Sequence, residues 1–164
     1  MPVTYDSIAT TTLGSAASTI TFSSIPGTYT DLRLVLVGRV SATNANIVFY
    51  VNGNTSSYSQ TNIYGNGSTV TSDRLTNMDG WYATQADLGS TTIPSLYTLD
   101  IFSYAGSTNK TSLFVSSQDK NGSGVVFHGV GLWRNTSAIT SVTMLQSSNF
   151  AAGTTATLYG IKAE

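Results

Sequence analysis

The chain has 164 residues, 40% hydrophobic and only 9% charged, with a formal net charge of −1. That length sets one domain as the default, and the composition excludes a disordered, charge-rich chain. With so little net charge there is no field to draw it toward DNA, RNA or an anionic membrane, so neither a nucleic acid nor a membrane is an expected partner.

Residues 1–13 are polar and Thr-rich, and read either as an N-terminal arm free to drape along a partner or as a first edge strand. Thr19-Ile20-Thr21-Phe22 alternates, which predicts a strand closed by the turn Ser24-Ile25-Pro26-Gly27. Leu32, Leu34 and Leu36 share one face of the next strand and Val35 and Val37 the other, which predicts burial of its middle on both sides. Ile47 to Val51 is a compact apolar run ended by Asn52-Gly53, residues that tolerate the positive φ of a tight turn. A strand over 57–64 follows. From 72 to 94 Asp, Asn, Gly and Thr dominate, and a long loop is expected there. Strands resume at 96–102, 110–118, 125–133, 139–145 and 154–161. Gly129 and Gly131, on one face of the 125–133 strand, invite a bulge or the close approach of a neighbouring backbone. Short strands without a convincing helix predict an all-β fold, an antiparallel, jelly-roll-like β-sandwich forming a single domain over 1–164.

Residues that carry chemistry are scarce. There is no cysteine, one histidine (His128), and a single glutamate, Glu164, while Ser and Thr supply 49 of the 164 residues. Acid–base, thiol and zinc chemistry draw on the missing types, so no enzymatic activity, catalytic residue, metal or cofactor is expected. His128 sits mid-strand among apolar neighbours and reads as a strand histidine hydrogen-bonded locally or at a subunit contact. Asp73, Asp79 and Asp87 fall in the expected loop, and their spacing fits no EF-hand. Five Asn-X-Ser/Thr triplets, at Asn54, Asn66, Asn109, Asn121 and Asn135, are better read as turn chemistry than as glycosylation sites. Tyr58, Tyr64, Trp81 and Tyr82 lie in or beside polar segments, which makes them candidates for contact with a glycan or a partner; the competing reading is that they pack the long loop onto the sandwich. The segment Met1 to Asp6 has neither the basic region nor the apolar core of a secretory leader, and no run reaches the roughly 18 apolar residues of a membrane span.

Two stretches carry a resemblance. Near the start, Tyr5-Asp6-Ser7-Ile8-Ala9-Thr10-Thr11-Thr12-Leu13-Gly14 leads into Ile20-Thr21-Phe22-Ser23-Ser24-Ile25-Pro26. Near the end stand Gly131-Leu132-Trp133-Arg134-Asn135-Thr136-Ser137 and Leu158-Tyr159-Gly160-Ile161-Lys162. Together these resemble a family of β-sandwich virion proteins of tailed bacteriophages, which occur as small separate chains and as end modules of fibres. The resemblance implies a structural part of the particle, often a homotrimer, with no catalytic residues to carry over. It also implies assembly in the host cytoplasm and release by lysis, with no need for a secretory leader. Without an obvious fibre shaft, a capsid decoration (cement) protein bound to the major capsid protein is the first expectation. A tail-fibre or receptor-binding module that recognises a host surface glycan is the alternative.

Overall fold

Alternation along most strands sends one parity of side chains inward and the other out, and two antiparallel sheets form around the inward set. The computed structural model describes residues 4–41, 46–83 and 90–162 and holds twelve strands among them. They are β1 (Tyr5–Thr12), β2 (Ala17–Phe22), β3 (Asp31–Gly38), β4 (Ile47–Val51), β5 (Tyr58–Gly65) and β6 (Val70–Met78), followed by β7 (Trp81–Tyr82), β8 (Ser95–Phe102), β9 (Lys110–Asp119), β10 (Gly124–Trp133), β11 (Val142–Phe150) and β12 (Thr155–Ile161). An eight-stranded sheet runs β1-β12-β3-β8-β9-β10-β5-β6, and a four-stranded sheet runs β2-β11-β4-β7. The chain passes repeatedly from one sheet to the other, as in a jelly roll, and the sandwich predicted from the strand pattern is the fold.

The core lies between the sheets. From the large sheet come Leu34, Leu99, Phe114, Phe127 and Leu158; from the small one Ile20, Phe22, Phe49, Val51 and Met144, all buried. Burying a side chain of this size is worth about 1.5–3 kcal/mol. Lys110 is fully buried at the end of the inward set, and its ammonium donates to the carbonyls of Gly106, Thr108 and Thr136. It ties two connections to the sheet in place of a carboxylate partner. Burial lowers its pKa.

Three expectations are corrected, and one open choice is decided. Of the two readings of the N-terminal segment, the edge strand holds: from Tyr5 it is β1, paired with β12, and Asp6 meets Lys162 at 2.8 Å. The long loop over 72–94 is instead occupied by β6 up to Met78 and by β7; 84–89, with Asp87, lies outside the described residues. β6 is an edge strand exposed along most of its length, so it needs no apolar alternation and shows none. The middle of β3 is covered on one side only: Leu34 and Leu36 are buried, Val35 is partly exposed and Val37 is 46% exposed. Finally, β10 is free of bulges, and its glycines admit side chains rather than backbone. A Cβ on Gly129 would lie 2.2 Å from the Phe114 ring, and one on Gly131 would lie 2.4 Å from both Ser112 Oγ and Trp81 Nε1.

Candidate functional site

Three of the four candidate aromatics lie on the inward side of their strands. Tyr58 and Trp81 are both fully buried, edge to face at 5.2 Å, and Tyr58 stacks on Trp133 at 6.1 Å. The Tyr58 hydroxyl donates to Asn54 O at 3.1 Å and accepts from Val51 N at 3.0 Å, which holds the end of β4 against β5. Burial pushes this phenol up to about 12. Neither ring reaches a surface, so neither contacts a glycan or a partner of the folded chain. Tyr64 is half-buried and stacks on Phe127 at 6.1 Å. Tyr82 is half-buried on the far side of the small sheet, opposite Val48, and donates to Asp79 Oδ1 at 2.8 Å. Burial, and then the bond to Asp79, pushes the Tyr82 phenol up to about 12. The four rings therefore share no surface. They looked exposed in the sequence because their neighbours are polar, and those neighbours are structural.

The polar neighbours form a chain of their own. The Gln60 amide donates to Tyr82 O at 3.0 Å and to Asn62 Oδ1 at 3.1 Å, and accepts from Tyr82 N at 2.8 Å. Asn62 Nδ2 then donates to Asp73 Oδ1 at 2.7 Å. Gln60 and Asn62 are buried, so each bond offsets the cost of dehydrating an amide. The chain fastens β7 and β6 to β5. Asp73 and Asp79 thus serve separate hydrogen bonds, and among the described residues no three His, Cys, Asp or Glu side chains gather as metal ligands.

The outward side of the large sheet is different. Cross-strand pairing sets its residues in rows: Ile63, His128, Val115, Thr98 and Val35 face the same way across β5, β10, β9, β8 and β3, and Val130, Leu113, Asp100 and Arg33 form the next row. Ten large hydrophobic residues are exposed among those described, and nine lie on this one face; Leu75, opposite the inward Gln60, is the exception. Its central charges cancel each other: Arg33 grips Asp100 through two hydrogen bonds of 2.6 and 2.8 Å, which raises the guanidinium pKa further. His128 belongs to this face, beside Ile63 and Val115. A shallow hollow of about 360 Å³ opens between Ile63, Leu113, His128 and Val130, and one of about 240 Å³ lies beside it against Arg74 and Thr76. A third, of about 420 Å³, lies at the end of the sheet between Asn66 and Ser123.

The sequence reading assigned no role to this face. Its signal was present in runs such as Leu113-Phe114-Val115 and Val125-Val126-Phe127, where both parities are apolar. Such runs denote strands covered on both sides.

The sequence matches no protein-family model, and no curated protein matches it either. Among solved structures, the crystal structure of galectin LEC-6 from Caenorhabditis elegans is similar over 94% of this chain and 96% of that chain, at 14% identity and a TM-score of 0.38. A likeness at this level does not bear on function.

Proposed function

We propose that this chain is a non-enzymatic structural protein of a tailed-phage virion. In this reading it is a decoration (cement) protein that assembles in the host cytoplasm as a homotrimer and seats on the lattice of the major capsid protein. The observation that carries the reading is the outward face of the large sheet, where strands such as β9 and β10 carry apolar residues on both sides while the described residues cover only one. A protein that works by contact needs such a face and needs no reactive groups. The sequence resemblance supplies the virion setting. Elsewhere the surface is rich in hydroxyls, as in the Thr21–Thr143 pair at 3.1 Å on the small sheet, which keep a weakly charged chain hydrated. Glycan recognition by a fibre module loses two of its four aromatic anchors, since Tyr58 and Trp81 are enclosed.

Labelling purified phage particles with an antibody against this chain tests the reading. Label spread over the head is expected. Label confined to the tail tip, or none on the particle, contradicts it.

A further inference from the structure

We infer that the outward face of the eight-stranded sheet is an interface between copies of this chain. This deepens the proposed function by assigning a surface to the oligomer, but it is a property of the purified chain and does not depend on a virion.

Size is the first argument. Eight strands spaced by about 4.8 Å, carrying four outward rows about 6.8 Å apart, span a face of roughly 800 Å². That is the area each partner contributes to a stable interface of standard size. Its composition is the second. Seven of the nine exposed apolar residues occupy interior strands, among them Ile63 on β5, Val126 and Val130 on β10, Leu113 on β9 and Leu96 on β8, while Tyr5 and Val70 lie on the edge strands β1 and β6. Polar residues such as Thr10, Thr12, Ser72 and Arg74 share those edge strands, so the face is most apolar on its inner strands and mixed at its rim.

Charge selects the occupant. A strongly charged partner would require a field of opposite sign, and here the central ions are an internal pair, Arg33 with Asp100, already bonded at two points. A neutral face of this kind meets its own copy without like-charge repulsion, and the pair can be covered without stranding a lone ion. The small sheet offers no equivalent: none of the exposed large hydrophobic residues lies on it, and its outward side presents Thr19, Thr21 and Thr143 beside a buried Val48 and half-buried Leu145, Tyr50 and Tyr82.

Sedimentation of the purified chain, with three variants, tests the inference. Wild type is expected to sediment as a multiple of 17.3 kDa at about 10 µM. Ile63→Glu combined with Val130→Glu places carboxylates against apolar rows and is expected to raise the dissociation constant by roughly a hundredfold or more. The folded circular dichroism spectrum should be unchanged, since both positions are 52% exposed in a single chain. Thr143→Glu, on the small sheet, should leave assembly as in wild type. A wild-type chain that remains at 17.3 kDa up to about 100 µM overturns the inference. So does a folded double variant that still assembles, or assembly lost only in Thr143→Glu. If the double variant does not fold, Leu96→Lys decides in the same way. Antibody labelling of particles locates the protein, whereas sedimentation identifies the face, so the two ideas fail separately.

Discussion

The two faces of the eight-stranded sheet are built from the same strands and much the same residues, yet they meet opposite fates. Phe127 faces inward and is fully buried; Val126, its neighbour in the chain, faces outward and is 58% exposed. The inward face is matched by the small sheet, and the outward face by nothing among the described residues. Apolar residues at both parities therefore report two covering layers, only one of which the described residues provide. The missing layer is what a partner would supply.

Substitutions on neighbouring residues of opposite parity sharpen this contrast. Trp133→Ala removes a buried ring stacked on Tyr58 and is expected to cost about 3–5 kcal/mol in urea unfolding, while Val130→Ala should stay within about 0.5 kcal/mol for the single chain. Equal losses at the two sites would break the contrast. Gly129→Ala drives a methyl into the Phe114 ring and is expected to cost about 1–3 kcal/mol, against almost nothing for the outward His128→Ala. Lys110→Met leaves three carbonyls without their donor, for about 1–3 kcal/mol by the same assay, whereas the exposed Thr111→Ala should be silent.

Alkaline titration probes the inward side through its phenols. Burial pushes Tyr58 and Tyr97 up to about 12, from an ordinary value near 10. The folded chain then holds protons that the unfolded chain has released. The stability they contribute is present below about pH 10 and is lost as pH rises through about 12. Phenolate absorbance should show both groups ionising together with unfolding, later than exposed tyrosines. Their ionisation near pH 10 in the folded chain would contradict the burial.

Most of the sandwich was legible because short apolar or alternating runs are set off by turn residues such as Asn52-Gly53. The turn residues also read correctly: Asn52, Gly53, Asn121 and Gly122 all adopt positive φ. β6 was not legible, since an edge strand carrying Asp73, Arg74 and Asn77 has no covered side to impose a pattern. The buried amides Gln60 and Asn62 drew no attention in the sequence, because their partners, Tyr82 and Asp73, reach them only once β6 and β7 settle against β5. For Tyr58 and Trp81 the sequence left contact and packing both open, and burial decides for packing: sequence shows which residues flank a ring, while burial depends on which strand crosses above it. The outward face was legible in composition but not in meaning, because a pattern of two-sided burial does not say whether the second cover belongs to the same chain.

Side-chain footprinting with hydroxyl radicals, comparing dilute with assembled chain, tests the division of the two faces most directly. Protection of His128, Ile63 and Leu113 on assembly, with Leu75 and Tyr50 labelled alike in both states, is the predicted result. Equal labelling of His128, Ile63 and Leu113 in the two states would contradict it.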